Sequence, residues 1–500
     1  MAGSPVRAAA PRSAIRLSTV WITAAFTVAI TLAFGPISSI DLAYLVRAGQ
    51  VMFDTGEVLR VDTFTFTAWC DPWLNQQWGA EIVVGGVFDV MGWLGLAMLR
   101  AALTAGVAAF VYTTCQSHGA HRRAAAWLTL LAAVLLLGGF QLRAQLFGLF
   151  LFAALRWIVA GRAHHAGRLW WAIPISLIWA NLHGSFPLAV LVFLFAWLED
   201  RVAGRAGRRT LAVAALSMLA TVVTPFGPRV WRYVVDVSAD PLIREVVLEW
   251  RPPGLTTYTG VMFFGSVALA LVVFVRNRRA LPWPALVELG FFLALAASSS
   301  RNVFWWGIVL TTMLARLPWA RREPAVDPRN RANAVLFAAL AAVPLVAGAR
   351  WLPHANAEPP AGLIRLAPAG LTEELRSRLQ PGEPFANAQP WGSWFELTLP
   401  EHPVFVDSRF EVVPPQAVRA SIAISSAEPG WEAELDALPV RFYAVDREHQ
   451  PALVAALPGL EGWRQVYSDE DGLILVREGA HRAPAPPGCD AGAGPSLPGV

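Results

Sequence analysis

Long apolar blocks, broken by short charged segments, fill the first 350 residues of the chain. A membrane-spanning helix needs about 20 mostly apolar residues. Eleven blocks read as spans: 15–37, 93–114, 124–140, 143–160, 168–183, 184–199, 209–224, 259–276, 283–300, 301–318 and 331–350. The first follows Arg7, Arg12 and Arg16 and resembles a signal peptide. Its apolar run is too long for one, and Phe34-Gly35-Pro36-Ile37 is not a small-residue cleavage site. It reads as a retained signal anchor.

Charge sorts the connecting segments into two sets. With the N-terminus in the cytoplasm, segments 118–123, 161–168, 199–209, 276–279 and 316–331 share its side. Together with the three N-terminal arginines they hold 19 Arg against four acids. The opposite segments before residue 351 hold eight Arg and eleven acids. Arginine accumulates on the cytoplasmic side of membrane proteins. Loops 38–92 and 225–258, and everything beyond residue 351, are therefore expected outside.

Loop 38–92 carries its own pattern. Residues 41–53 predict a short amphipathic helix started by Ser38 or Ser39 and ended by Asp54-Thr55-Gly56. An alternating run, 60–67, comes next, then the aromatic stretch 71–78, then a second interfacial helix over 79–92. The C-terminal part opens with a Pro/Ala linker, 351–362. Helices are expected at about 369–380 and 450–457, and strands at 404–407 and 441–445. Runs 463–467 and 473–477 flank Asp469-Glu470-Asp471-Gly472, a hairpin turn signal. The last twenty residues, rich in Pro, Gly and Ala, read as disordered. The expected fold is an α-helical polytopic membrane protein of about eleven transmembrane helices (1–350). It carries a small extracytoplasmic α/β domain (351–480) and a tail (481–500).

Composition agrees with that class. Hydrophobic residues make up 55% and charged residues 15%, against about 25% charged in soluble domains. The mean hydropathy is +0.46. Every one of the 40 basic residues is Arg, which excludes a Schiff-base lysine, a P-loop lysine and a Ser-Lys dyad. The net charge of +4 divides into +14 before residue 351 and −10 after it. That split reflects topology and gives no nucleic-acid signal. Cys70, Cys115 and Cys489 are far apart and make no metal spacing. A Cys70–Cys489 disulfide is conceivable where both face an oxidising compartment, but is not expected.

There is no P-loop, GxSxG, HExxH or CxxC pair. Candidate chemistry sits instead on the external side. Asp41 stands just after the first span, where a carboxylate can deprotonate an acceptor hydroxyl beside a lipid head group. An acid near a helix N-terminus is also ordinary capping chemistry. Asp62, Asp71 and Glu81 are further acids, although Asp71-Pro72 suits a plain turn and Glu81 suits an ion pair. Arg143 with Gln145, Arg229 with Arg232, and Arg301 with Asn302 lie at one level. Arginine there either grips a phosphate bidentately or snorkels to head groups. His183, beside Asn181, either packs against a polar neighbour or recognises a sugar. Glu249 offers a cavity carboxylate or a rim turn. Arg100 and Glu288 are expensive inside lipid and are candidates to pair with each other. Asp407 and Arg409 end a strand, a common place for ligands, with an ordinary ion pair as the simpler reading.

Several stretches carry a family resemblance when taken in order. They are 41–49 with Thr55-Gly56, 60–67, 73–81, Arg143-Ala144-Gln145-Leu146-Phe147, 179–186, 224–227, Glu249-Trp250, Ser300-Arg301-Asn302 and 404–409. The set resembles the GT-C superfamily of polyprenyl-phosphate-sugar-dependent membrane glycosyltransferases. It is closer still to a group of bacterial multispan proteins related to the protein-mannosyltransferase and lipid A-modifying branches. Many GT-C enzymes carry two adjacent acids where this chain has Asp41-Leu42. The nearer group suggests a Trp/His-containing stretch where this chain reads Leu42-Ala43-Tyr44-Leu45.

The resemblance implies an enzyme of the bacterial inner membrane. Its reaction is an inverting transfer from a polyprenyl-phosphate sugar to an extracytoplasmic lipid, glycan or protein. Asp41 matches the base. Asp62, Glu81, Arg143, Gln145, His183, Arg229, Glu249, Arg301 and Asn302 are the expected substrate-binding positions. Membrane lipid and the lipid-linked donor are the implied partners, with no nucleic acid. A divalent metal varies across the superfamily, and no clustered carboxylates in the sequence require one. Two other classes remain open. One is a transporter or flippase with Arg100 and Glu288 lining a path. The other is an envelope assembly factor whose C-terminal part binds a partner.

Overall fold

The computed structural model describes residues 14–277, 279–354, 360, 362–479 and 489. The tail expected at 481–500 therefore lies outside the described residues, save Cys489. The chain forms two compact units, each built from separated segments. One comprises Met1–Gly35, Met91–Trp231 and Arg244–Glu358; the other comprises Pro36–Val90, Arg232–Ile243 and Pro359–Val500.

The first unit is helical. Helices Tyr258–Arg276 and Arg331–Ala349, and the run Trp78–Ser117, are long and apolar enough to cross a membrane. Leu17–Ala33, Ala144–Ala160 and Trp283–Ser298 are shorter apolar helices. Gly92, at φ 56°, breaks the run Trp78–Ser117, leaving the apolar stretch 93–117 in this unit and the start of the run in the other. Val335, Leu336, Val343, Leu345 and Val346 of Arg331–Ala349 are exposed, as are Leu271, Val272 and Val275 of Tyr258–Arg276. Contiguous apolar surface of this kind suits lipid. Inside, Phe152 packs edge-on to Trp305 at 5.3 Å, and Trp179 and Phe292 join the same group.

Polar ties between the connecting segments of this unit fall into two sets. In one, Ser18 Oγ donates to Asp327 Oδ2 at 2.6 Å, Arg162 pairs with Glu199 and Asp200 at 3.0 Å each, and Arg316 joins Glu199. The His121 amide donates to the Ala320 carbonyl. In the other, Trp351 Nε1 donates to the Phe34 carbonyl and Ser299 Oγ to the Glu249 carbonyl. Segments assigned by charge to one side bind one another, and those assigned to the other side do the same.

Arg100 and Glu288 do not pair. Arg100 donates to the carbonyls of Phe140 (2.6 Å) and Gly35 (2.9 Å). Carbonyls near helix C-termini lack intrahelical partners and carry partial negative charge, so one buried guanidinium satisfies several of them. Glu288 pairs instead with Arg156, which also donates to Thr312 Oγ1 at 3.1 Å.

The second unit contains a four-stranded mixed sheet in the order Ala386–Asn387, Phe442–Asp446, Gly472–Arg477, Trp463–Ser468. The first pairing is parallel and the other two antiparallel. In the hairpin turn, Asp469 Oδ1 accepts from the amides of Asp471 and Gly472 at 3.0 Å, an Asx turn. Residues 404–407 are not a sheet strand. Val404 bridges Thr65 and Phe385, and the Asn387 side chain binds the Phe405 amide (2.9 Å) and the Val406 carbonyl (2.8 Å). An asparagine amide thus replaces a neighbouring backbone. Helices Gly392–Thr398, Pro415–Ser425 and Trp431–Ala437 were not expected from the sequence.

Segment 36–90 is woven into this unit. Its helix, Leu42–Thr55, begins at Leu42 with Asp41 in the capping position, in place of the expected serine. Gly56, at φ 70°, ends it in the left-handed conformation that glycine adopts freely. The helix crosses the start of Trp78–Ser117 at Gly49 and Gly85, where a Cβ on Gly49 would overlap the Glu81 carbonyl. It also packs on Gly392–Thr398. Thr67 Oγ1 donates to the Phe405 carbonyl at 2.8 Å, and the Val404 amide to the Phe64 carbonyl at 3.0 Å. Contrary to expectation, Cys70 and Cys489 form a disulfide, with Cα atoms 5.6 Å apart across 419 residues of sequence. Tertiary folding, invisible in the spacing, brings them together.

Candidate functional site

Within the second unit the acids gather around two side chains, Arg409 and Tyr44. Arg409 is fully buried. Its Nη1 lies 2.7 Å from Asp62 Oδ1, its Nε donates to Asp407 Oδ2 at 2.6 Å, and its Nη2 lies 3.6 Å from Glu396 Oε1. The guanidinium sits over Trp73 (4.7 Å), Phe64 (4.9 Å) and Tyr44 (5.7 Å). Asp62 Oδ2 also accepts from the Thr65 amide at 2.9 Å and from Thr65 Oγ1 at 2.6 Å. The Asp407–Arg409 pair read in the sequence is real, but it is one side of a larger buried group.

One arginine cannot neutralise three buried carboxylates. Burial, followed by Asp407, pushes Glu396 well above the usual carboxylate range. It therefore keeps its proton, the neutral form being the one that burial beside a second carboxylate favours.

Tyr44 is one helical turn after Asp41. The Gln77 amide donates to its hydroxyl. Burial, then Asp41, Glu81 and Glu411, keep the phenol protonated. Glu81 is also buried, with Asn75 Nδ2 donating to its Oε2 at 2.5 Å. It precedes the Gly92 break, outside the apolar stretch, and burial pushes it up to about 8. Burial pushes Glu411 up to about 7, with Arg409 opposing and Asp407 and Asp41 adding to the rise. The Tyr233 hydroxyl donates to Glu411 Oε1 at 3.4 Å. Among the described residues no three His, Cys, Asp or Glu side chains converge as a metal-binding set.

A second polar group forms in the first unit. Arg143 Nη1 meets both carboxylate oxygens of Glu249 at 2.8 Å. Arg301 stacks over Trp250 at 4.7 Å, and Gln145 Nε2 donates to the Arg301 carbonyl at 3.3 Å. Burial alone would raise Glu249, but Arg143 and Arg301 outweigh it and hold the carboxyl below its ordinary value. His183 Nδ1 lies 2.7 Å from Ser185 Oγ, which accepts from Trp179 Nε1. Both Arg143 and Arg301 act on His183 electrostatically. Asn181 binds the Leu177 and Val223 carbonyls, not His183. Asn302 Nδ2 donates to the Leu295 carbonyl. Arg229 is exposed at the start of helix Arg229–Ala239.

Sequence reasoning missed Glu396 and Glu411, Gln77 and Asn75 under Tyr44 and Glu81, and Trp250 under Arg301. The run Asn75-Gln76-Gln77 between two tryptophans was the available signal for a buried polar network.

The fold is shared with a solved structure. The Archaeoglobus fulgidus oligosaccharyltransferase, crystallised in the apo form, superposes with a TM-score of 0.50 over 92% of this chain and 74% of its own, at 14% identity. The chain has that fold. The likeness is one of fold alone. ArnT from Cupriavidus metallidurans, in the apo state and bound to undecaprenyl phosphate, gives a TM-score of 0.49 at 15% identity. Those matches cover 91% of this chain and 95% and 97% of theirs. No family model matches the sequence, and no curated protein does.

Proposed function

We propose that the protein is a membrane glycosyltransferase that moves a sugar from a polyprenyl-phosphate donor to an extracytoplasmic acceptor. The observation that carries this reading is the convergence of Arg143, Gln145, His183, Glu249 and Arg301 at one end of the helical unit. They come from four segments that the charge pattern assigns to one side. Arginines at that level suit a lipid phosphate.

Eleven spans, a cytoplasmic N-terminus and an extracytoplasmic second unit in the bacterial inner membrane complete the proposal. The Cys70–Cys489 disulfide supports that sidedness, because such bonds persist in oxidising compartments. So does the separation of the polar ties into two sets.

Asp41 acts as the base. It takes the acceptor hydroxyl proton as the acceptor oxygen bonds to the anomeric carbon with inversion. The bond from that carbon to the phosphate oxygen breaks, and its electron pair leaves on the polyprenyl phosphate. Arg143, Arg229 and Arg301 of the first unit are the candidates to bind the phosphate of the lipid donor. Asp62 and Glu81 hold the loop that presents Asp41. A transport path through Arg100 and Glu288 is disfavoured, since helix carbonyls and Arg156 occupy them.

The test is transfer from a panel of labelled polyprenyl-phosphate sugars in proteoliposomes, wild type against Asp41→Asn. Transfer that collapses in the variant supports both the class and the base. Transfer that survives removes Asp41 from the role. No transfer from any donor, with folded protein and a range of acceptors, argues against the class.

A further inference from the structure

His183 caps the C-terminus of helix Ala172–Leu182, and a chain of hydrogen bonds that runs one way fixes its ring. Trp179 Nε1 donates to Ser185 Oγ at 3.1 Å. An indole N–H can only donate, so that oxygen accepts there and its own proton points elsewhere. Ser185 Oγ lies 2.7 Å from His183 Nδ1, and the Ser185 amide donates to the same nitrogen at 3.1 Å. A backbone amide can only donate as well. Nδ1 therefore accepts from both groups of Ser185 and carries no proton. A neutral imidazole with a bare Nδ1 holds its proton on Nε2. Trp179 is itself buried beside Phe152 and Trp305, so the chain starts from a fixed point. His183 is half-buried, and among the described residues its Nε2 makes no hydrogen bond. The ring lies against the first turns of helix Ala144–Ala160. A Cβ on Gly148 would come within 2.8 Å of Ser185 Oγ and 3.1 Å of His183 Nδ1, an approach that the missing side chain of glycine permits. Arg143 caps the same helix, about 7.5 Å from Gly148 along its axis. Gln145, in the first turn, donates to the Arg301 carbonyl.

Resting on the glycosyltransferase reading, we propose that His183 is a fixed neutral donor whose Nε2–H binds a phosphoryl oxygen of the polyprenyl-phosphate lipid, with Ser185 and Trp179 as positioning residues. A bare Nδ1 held by two donors leaves the ring one proton to offer and no free lone pair. An ionised phosphoryl oxygen accepts and cannot donate, whereas a sugar hydroxyl does both. The match is therefore to phosphate, at the end of the helix that Arg143 caps. The role is binding alone, and His183 neither takes nor gives up a proton in it. Ser185 and Trp179 do not touch the lipid; they act through the ring.

Two measurements on the full chain in lipid nanodiscs test this. The first needs no ligand: nitrogen magnetic resonance of protein carrying isotope-labelled histidine. The His183 ring is the signal missing from His183→Gln. Its shifts should show a protonated Nε2 and a bare Nδ1. A proton on Nδ1 overturns the assignment, whatever the protein binds. The second is binding of a short-chain polyprenyl phosphate, alone and with a sugar attached. Saturating sugar-free lipid should move the wild-type Nε2–H signal, and a bound lipid that leaves it unmoved overturns the contact. His183→Phe should weaken both lipids by roughly ten- to a hundredfold, the worth of one hydrogen bond to an ionised group. His183→Gln, which offers an amide N–H near the same place, should recover part of that loss. Ser185→Ala should lower affinity several-fold and mix the two tautomers, with thermal unfolding as in wild type, and Ser185→Thr should restore both. A loss in His183→Phe confined to the sugar-bearing lipid overturns the phosphate contact in favour of a hydroxyl. Wild-type protein that binds neither lipid overturns the glycosyltransferase reading and the acceptor with it, while the nitrogen shifts still decide the fixed donor.

Discussion

Arg409 Nη1 lies 2.7 Å from Asp62 Oδ1, and neither side chain has any exposure to solvent. The two residues are far apart in sequence, one in the first loop and the other in the C-terminal part. Their contact, closed by Asp407 and boxed by Tyr44, Phe64 and Trp73, fixes the loop that carries Asp41.

Removing Arg409 should therefore be severe. Arg409→Met leaves Asp62 and Asp407 buried without a counter-charge, which costs about 3–5 kcal/mol. Arg409→Lys should rescue little, because an ammonium cannot make the same planar set of contacts. Thermal unfolding of the detergent-solubilised protein checks both. A melting temperature unchanged in Arg409→Met would show that the group does not hold the loop.

Asp41→Asn should leave that melting temperature close to wild type while lowering transfer by about 10²–10⁴-fold, the usual share of a general base. A loss of transfer that tracks loss of folded protein would assign Asp41 to structure.

Arg143→Ala should weaken binding of the proposed polyprenyl-phosphate lipid by roughly ten- to a hundredfold, the worth of a charge-assisted hydrogen bond of about 1.5–3 kcal/mol. Arg232 is an exposed control whose contact, with Asp236, is made at 3.4 Å on the surface. Competition binding with a labelled lipid phosphate compares the two. Equal effects would make Arg143 an ordinary surface charge.

Stability should depend on pH through Glu81 and Glu411. Both are raised in the folded protein, to about 8 and about 7, from an ordinary value of 4.5. Between those limits the folded state keeps protons that the unfolded chain has released. The stabilisation is complete below pH 4.5 and is lost as pH rises toward about 8. Glu81→Gln should flatten the upper part of that slope in unfolding curves taken across the range. A slope of the opposite sign would exclude this origin.

Cys70 and Cys489 should be joined in protein isolated without reductant, so that cleavage between them leaves two fragments held together until reduction. After reduction, a membrane-impermeant thiol reagent added to intact spheroplasts should label both. Labelling only after lysis would place the second unit in the cytoplasm and reverse the proposed orientation.

Much of this was legible in the sequence. Apolar runs longer than any soluble helix requires announced the membrane unit, because bilayer thickness imposes a length that single residues cannot disguise. Hairpin 463–477 was visible through its Asp-rich turn, since turn chemistry is local. Asp41, Arg143, Gln145, His183, Glu249 and Arg301 stood out because charge at helix ends is rare and costly in lipid. What pairs with what was not legible. Arg100 lies 40 residues from Phe140 and Glu288 lies 132 from Arg156, and nothing local selects those partners over each other. The strand expected at 404–407 became a seam against the first loop, because its neighbours come from residues 64–67 and 385–387. Sequence alone determined the class of environment each segment tolerates, since solvation acts residue by residue. The tertiary structure decided which buried charges meet, since a buried ion is stable only beside a partner that distant chain segments deliver.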